Sequence, residues 1–132
     1  MSSARVCFLL ERGSPPRLNR IFLDVFERLQ QRNIDVDVRF PEEELWSVDA
    51  VRVEADLYLL KSDTEFALSL ATALERMGAR VLNTARASSL AKDKLLAAMT
   101  LARAGIPAPP SLAASAPRQL RPLVMEIGRA HV

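Results

Sequence analysis

Three polar side chains stand where predicted elements of this chain begin or end, and they are the first candidates for chemistry. They are Lys61, Ser62 and Lys94. Lys94 follows Asp93 at the start of a predicted helix, where backbone N–H groups lack intrahelical partners and the helix dipole is positive. Such a place favours an anion. The alternative is that Asp93 only caps the helix and Lys94 is solvated, and the local pattern alone favours this alternative.

Lys61 and Ser62 follow the apolar run at residues 57–60. The Lys61 ammonium at the end of a buried strand could meet a carboxylate or a phosphate, or simply reach solvent, which the pattern favours. Ser62 opens the segment 62–65, which has the S-x-x-E form of a capping box. Ser62 is therefore predicted to cap a helix and not to act as a nucleophile, because no base is available to activate it.

Residue types exclude several kinds of active site. Cys7 is the only cysteine and His131 is the only histidine. A cysteine-based metal cluster, a multi-histidine zinc site and a Ser-His-Asp triad therefore lack ligands or bases. The adjacent Glu42, Glu43 and Glu44 would diverge by about 100° per residue in a short acidic helical turn, so they are predicted to serve its positive end and not a metal ion.

Composition is typical of one globular domain, or of one domain and part of a second. The chain has 132 residues, 49% of them hydrophobic, and its 18 Lys and Arg nearly balance its 16 Asp and Glu. A basic run with interleaved aromatic residues is missing, so no nucleic-acid partner is predicted. A run of about 18 apolar residues and a signal peptide are also missing, so no membrane partner is predicted and a cytoplasmic location is expected.

Short apolar runs alternate with helical patterns along the chain. The predicted strands are residues 4–10, 34–40, 57–60 and 79–83, and the predicted helices are residues 17–32 and the segment from the capping box through Met77. This alternation indicates an α/β fold with a parallel, doubly wound sheet of the flavodoxin or Rossmann type, whose second strand lies at an edge. Sites in such sheets lie at the carboxyl ends of the strands, here residues 11–14, 61–64 and 83–85.

Apolar spacing predicts which helical residues face the sheet. The predicted core-facing residues are Leu18, Ile21, Phe22, Val25, Phe26 and Leu29 in the first helix, and Phe66, Leu70, Leu74 and Met77 in the second, where Ala67, Ala71 and Ala73 allow close approach. The opposite face of the first helix carries Arg20, Asp24 and Arg28. This face is predicted to be solvated.

Two familiar functions of this fold class are excluded by missing residues. A dinucleotide fingerprint would need G-x-G-x-x-G after the first strand, where only Gly13 is present and two prolines follow it. A phospho-acceptor receiver domain would need acidic residues at the end of the first strand and an aspartate after the third. The chain offers Glu11 and Lys61 at these places.

A recurring order of residues runs from the last predicted strand to a proline-rich segment. Asn83 ends the strand, a short helix follows, Asp93-Lys94 opens a second helix, and Ala104-Gly105-Ile106-Pro107 ends it, with Pro109 beyond. This order resembles the junction between the N-terminal domain and the ATP-binding domain of ATP-grasp ligases. The preceding β-α-β-β-α-β unit is similar to the pre-ATP-grasp domain, and residues 61–65 resemble RimK-type glutamate ligases. The likeness covers residues 4–123.

The resemblance implies a function and an organisation. Residues 1–84 would be the pre-ATP-grasp domain, and residues 85–125 the start of an incomplete ATP-grasp domain. Lys94 would contact an ATP phosphate, and Lys61 and Ser62 would bind substrate. In this family ATP and Mg²⁺ activate a carboxylate as an acyl phosphate, and the acyl group then passes to an amine of a small molecule or peptide. Such enzymes can form homo-oligomers.

The parts that would complete such an enzyme have no counterpart in this sequence. They are the magnesium-binding acids, the second phosphate-contacting lysine and the glycine-rich loop. The chain is therefore expected to be a truncated ligase that is inactive alone and binds no cofactor tightly. Residues 126–132, EIGRAHV, resemble a translated sequencing adapter, so we expect the genuine sequence to end near Met125. The alternative is a non-catalytic flavodoxin-like binding or interaction module.

Overall fold

A computed structural model of the chain describes residues 3–13 and 18–123. The chain divides into two compact units, Met1–Lys92 and Asp93–Val132. The predicted domain boundary after residue 84 stays a prediction, because the boundary between compact units need not coincide with the boundary between domains. The predicted adapter-derived tail, residues 126–132, lies outside the described residues.

The first unit is an α/β fold with a parallel sheet. Its elements are β1 (Arg5–Leu10), α1 (Arg20–Gln30), β2 (Asp35–Arg39), β3 (Leu57–Lys61), α2 (Glu65–Arg76), β4 (Val81–Leu82) and α3 (Ala85–Lys92), with short 3₁₀ turns at Pro41–Glu43 and Val48–Ala50. The four strands lie in the order β2-β1-β3-β4, and all neighbouring strands are parallel. This confirms the predicted α/β class and is compatible with a flavodoxin-like layout.

β1 is buried on both faces, as its continuous apolar sequence predicts. Val6, Phe8 and Leu10 face α1, where the Phe8 ring meets the Phe26 ring edge-on at a centroid distance of 4.8 Å. Cys7 and Leu9 face the opposite layer, which includes α2. The central strand therefore joins two apolar layers into one core.

β2 is an edge strand in the described sheet, since it pairs only with β1. Its neighbours in register alternate, so that Asp37 lies beside Cys7 and Arg39 beside Leu9. One face of β2 carries the charged Asp37 and Arg39, and the other carries Val36 and Val38. The edge prediction is thus confirmed.

Helix α1 is shorter than the pattern predicted. Asn19 caps it, because its Oδ1 accepts a hydrogen bond from the backbone N–H of Ile21 at 3.0 Å. The prediction that Ile21 faces the core is wrong, since its side chain is 66% exposed. The other predicted apolar residues of the helix pack on the sheet. Arg20, Asp24 and Arg28 are exposed, as predicted.

The covered face of α2 is also rotated from the predicted one. Leu70 and Leu74 are buried as expected, but Phe66 and Met77 are about half-exposed. Ala67 and Ala71 lie against the sheet as predicted and are completely buried, whereas Ala73 is exposed. A helix that touches a sheet through alanine methyl groups lies close to it, and larger side chains are then displaced to the flanks.

Residues in the left-handed conformation follow both α1 and α2. Asn33 has a φ of 56° after α1, and Gly78 has a φ of 90° after α2. This left-handed conformation ends helices and suits glycine and asparagine. Helix α3 occupies the place before Asp93 where the family resemblance implied a short helix.

The second unit contains α4 (Lys94–Arg103), an extended segment and a 3₁₀ turn at Pro117–Leu120. Asp93 caps α4 as predicted, because its Oδ1 accepts from the N–H of Leu96 at 2.9 Å. Gly105 follows the helix with a φ of 66°. Within residues 3–13 and 18–123, no helix is long and apolar enough to cross a membrane.

Candidate functional site

The strand order places a crevice between β1 and β3. The chain leaves β1 toward β2 on one side and leaves β3 toward β4 on the other, so the two connections diverge at this point. In register, Leu10 lies beside Lys61, so the strands end together. Parallel sheets bind ligands outside the carboxyl ends of the strands where the order reverses. We call this region the carboxyl edge.

The segment after β2 lies against this carboxyl edge. We call residues 41–44 the acidic turn. The Arg12 side chain, beyond β1, forms an ion pair with Glu43 at 2.8 Å and stacks over the Phe40 ring at 4.0 Å. The Thr64 hydroxyl, beyond β3, donates a hydrogen bond to Glu42. The turn thus binds both loops that flank the crevice.

The third glutamate points to a different partner. Glu44 pairs with the Arg39 guanidinium, whose Nε lies 2.7 Å from Oε2, and also accepts from the N–H of Phe40 at 3.1 Å. The hydrogen bond from Arg39 lowers the pKa of Glu44 below its ordinary value, and the same bond raises the pKa of Arg39. The Arg39 guanidinium also stacks over the Trp46 ring at 4.7 Å.

The three adjacent glutamates point in different directions, which bears on whether they could form a metal site. Glu42, Glu43 and Glu44 each bind a different group, so they do not converge, as predicted. The expectation that they only serve the helix dipole was too simple, because each makes a specific side-chain contact. Among the described residues, no three metal-ligating side chains come together in a group that could hold an ion.

The start of α2 differs from the predicted capping box. The N-cap is Thr64, whose Oγ1 accepts from the N–H of Ala67 at 3.1 Å, and not Ser62. Glu65 does not close a box with Ser62, since its side chain is exposed and lies 3.9 Å from Lys92. The prediction of Ser62 as the cap is therefore wrong by two residues.

Ser62 and Lys61 are adjacent but occupy different environments. Ser62 is only 4% exposed, and its Oγ lies 3.3 Å from the Thr64 hydroxyl and 3.4 Å from the Thr64 N–H. Lys61 is exposed at the end of β3. A ligand at the carboxyl edge would meet the Lys61 ammonium from solvent, whereas Ser62 acts on the edge through its contact with Thr64.

The end of β4 provides a second capped helix start. Thr84 caps α3, because its Oγ1 accepts from the N–H of Ala87 at 3.2 Å. The N–H of Ala85 donates to the Glu75 carboxylate of α2 at 3.0 Å. The segment after β4 therefore caps α3 and ties it to α2.

Lys94, the predicted phosphate contact, is the first residue of α4 in the second unit. The Asp93 carboxylate beside it accepts from Leu96, and the Asp93 carbonyl accepts from the N–H of Ala97 at 2.8 Å. One cation at a helix start can contact one phosphate group, although the capping carboxylate stands beside the same place. The fit of this segment to a nucleotide is therefore partial.

Sequence reasoning located the carboxyl edge but missed most of its contacts. Arg12 and Thr64 lay within the predicted site loops but were given no role, and Glu42 and Glu43 were not assigned to a site. The pairing of these residues depends on the sheet order. The usable sequence feature was their position directly after predicted strands. No protein-family model and no curated protein matches this chain.

Proposed function

We propose that this chain is the N-terminal part of an ATP-dependent carboxylate–amine ligase of the ATP-grasp type. Residues 1–84 would be a RimK-like pre-ATP-grasp domain that presents the substrate side of the active site. Residues 85–125 would begin the ATP-binding domain. The proposed location is the cytoplasm, where such a reaction would draw on ATP.

One structural observation supports this proposal in addition to the order of residues from Asn83 to Pro109. Helix α4 is predominantly apolar, yet Leu95, Leu96 and Met99 are all about half-exposed. None of the described residues of the second unit, 93–123, is buried. Apolar helices are stabilised mainly by packing against other elements. A helix with this surface is what the first helix of a larger ATP-binding domain would look like without the remainder of that domain.

The proposal gives the candidate residues distinct roles. Lys94 would neutralise part of one ATP phosphate, with the first N–H groups of α4 beside it. Lys61 would attract the substrate carboxylate to the carboxyl edge, and Ser62 would hold the Thr64 cap that shapes this edge. Bound ATP would supply the phosphoryl group that activates the substrate carboxylate. The described residues do not fit Mg²⁺, so no role for the ion is derived from them.

The test uses a full-length chain restored from the genomic reading frame. Lys94→Ala should raise KM for ATP and lower kcat, because a phosphate contact present in the transition state is lost. Lys92→Ala is the matched control. Its ammonium makes only a long 3.9 Å ion pair with the exposed Glu65, so kinetic constants should not change.

The 132-residue chain itself offers a second measurement. Isothermal titration should show no saturable ATP binding at millimolar nucleotide, since one lysine provides neither an adenine pocket nor a covering loop. A restored enzyme whose activity is unaffected by Lys94→Ala would refute the phosphate role. A reading frame without an ATP-binding domain would instead favour the non-catalytic binding module, for which the flavodoxin-like strand order is the supporting observation.

A further inference from the structure

An apolar groove runs along the flank of α2. Its lining includes Leu45, Trp46 and Val48 on one side and Phe66 and Met77 on the other. The groove has a volume of about 610 Å³. This volume is within the range of small-molecule sites, which are mainly apolar with a few charged or polar groups.

Several residues that line the groove expose apolar side chains to solvent. Leu45 is fully exposed, Val48 is 89% exposed and Phe66 is 47% exposed. Isolated exposed apolar residues are ordinary, but a contiguous apolar groove marks a binding surface. Phe66 and Met77 were predicted to face the core, and their displacement from it creates one wall of this groove.

The opposite wall is fixed by contacts that leave the groove open. The Trp46 indole N–H donates to the carbonyl of Pro41 at 3.1 Å, and the Arg39 guanidinium stacks on the indole ring. Arg39 is held in turn by Glu44. Two contacts therefore hold the indole directly, and Glu44 fixes the arginine that makes one of them.

Two charged residues line the groove, and they differ in what they already bind. Glu44 is fully engaged by Arg39 and by the N–H of Phe40. Within the described part of the chain, the Arg76 side chain makes no ion pair or hydrogen bond. Arg76 is also not needed to cap α2, since N–H groups of residues 77–79 already bind the carbonyls of the last turn. The groove thus has one available positive charge.

We propose that this groove binds an amphipathic monocarboxylate, a linear acyl chain whose single carboxylate pairs with Arg76. The apolar wall from Phe66 to Met77 follows α2 for about 16 Å, at 1.5 Å per residue, which gives an extended chain room to lie along the helix. The carboxylate satisfies Arg76, and the chain covers the exposed apolar side chains. This site lies on the flank of α2 and is separate from the proposed ligase function.

The test uses Trp46 as a reporter, since it is the only tryptophan of the chain. The purified protein is titrated with dodecanoate below its micellar concentration, and Trp46 emission is followed. We expect a saturable change in emission. Dodecanol, without the charge, should bind more weakly by up to about fivefold, the usual limit for an exposed ion pair. Dodecyltrimethylammonium, with the opposite charge, should bind more weakly still.

Two variants separate the groove from nonspecific binding. Arg76→Gln should remove the preference for dodecanoate over dodecanol, while Arg28→Gln, on the exposed face of α1, should preserve it. Ala73→Phe fills the groove from the exposed side of α2 and should abolish binding of all three probes. Circular dichroism checks that each variant is folded.

Three results would overturn the proposal. The first is the absence of a saturable emission change in the wild-type protein. The second is equal binding of the probes by the wild type, Arg76→Gln and Ala73→Phe. The third is a dimer in sedimentation that Leu45→Ser dissociates and dodecanoate does not, which would show that a second copy of the chain covers the groove.

Discussion

The hydroxyl group of Thr64 performs two tasks, and its removal tests how the carboxyl edge is built. In Thr64→Val the side chain keeps its branched shape but loses the hydroxyl that accepts from Ala67 and donates to Glu42. Loss of an N-cap costs about 1 kcal/mol, within a range of about 0.5–2 kcal/mol. Loss of the exposed hydrogen bond to the Glu42 carboxylate adds about 1 kcal/mol or less, because water can replace the hydroxyl. We therefore expect a loss of about 1–2 kcal/mol in the free energy of unfolding.

Urea denaturation is the appropriate assay, followed by circular dichroism and by Trp46 emission. At about 4–8 °C per kcal/mol for a domain the size of the first unit, Thr64→Val should also lower Tm by about 4–16 °C. Thr64→Ser is the matched control. It retains a hydroxyl in the same place and should lose much less stability than Thr64→Val.

Ser62→Ala decides between the two possible caps. The Ser62 hydroxyl makes only the long contacts to Thr64, so its removal should cost less than Thr64→Val, about 0.5–1 kcal/mol. The S-x-x-E interpretation requires the reverse order. If Ser62→Ala costs more than Thr64→Val, the cap assignment is wrong, and the proposed link between Ser62 and the carboxyl edge fails with it.

The remaining predictions concern the core, the buried thiol and the acidic turn. Leu60→Ala should cost about 2–5 kcal/mol in urea denaturation, because Leu60 is fully buried, whereas the exposed Arg28→Ala should cost under about 0.5 kcal/mol. Burial, followed by the nearby Asp37 carboxylate, raises the pKa of Cys7 to about 12, so the thiol should resist iodoacetamide at about pH 8 until the protein is unfolded. The pKa of Glu44 is lowered by Arg39, so its stabilising contribution is complete above the ordinary value of 4.5 and is lost as the pH falls through the lowered folded value. Glu44→Gln should therefore reduce the fall in unfolding free energy between about pH 5 and about pH 3, measured by urea titration at each pH.

Local sequence patterns were sufficient for the elements and for the class of fold. The continuous apolar run of β1 predicted a strand buried on both faces, and the alternation in β2 predicted an edge strand. Asn33 and Gly78 marked the ends of α1 and α2, where the backbone becomes left-handed. These predictions depend on spacing within a few residues, which the chain fixes before any tertiary contact forms.

The same spacing predicted the covered face of α2 only in part. Phe66 and Ala67 are adjacent, and hydrophobicity favours Phe66 as the buried residue. The structure buries Ala67 instead, because close approach of the helix to the sheet leaves space for a methyl group only. The distance between a helix and a sheet depends on the side chains of both. The sequence of the helix describes only its own side chains.

The choice of N-cap for α2 depended on a residue distant in the sequence. Ser62 and Thr64 are both good N-cap residues, and the sequence pattern 62–65 favoured Ser62. Thr64 has an additional partner in Glu42, which lies 22 positions earlier and reaches it only through the order of the strands. The conflict between two local candidates was therefore decided by tertiary structure, which periodicity does not encode.

The acidic turn connects the two regions that we propose to be functional. Glu42 and Glu43 bind the loops of the carboxyl edge, while Glu44 acts through Arg39 to hold Trp46 in the wall of the groove. Neighbouring residues with different partners share one backbone segment, so their contributions need not be additive. Comparison of the double variant Thr64→Val with Glu44→Gln against the two single variants therefore measures the coupling free energy between the two regions. An excess over the sum of the single costs would mean that the turn transmits strain between the edge and the groove, whereas strict additivity would mean that the two regions are energetically independent.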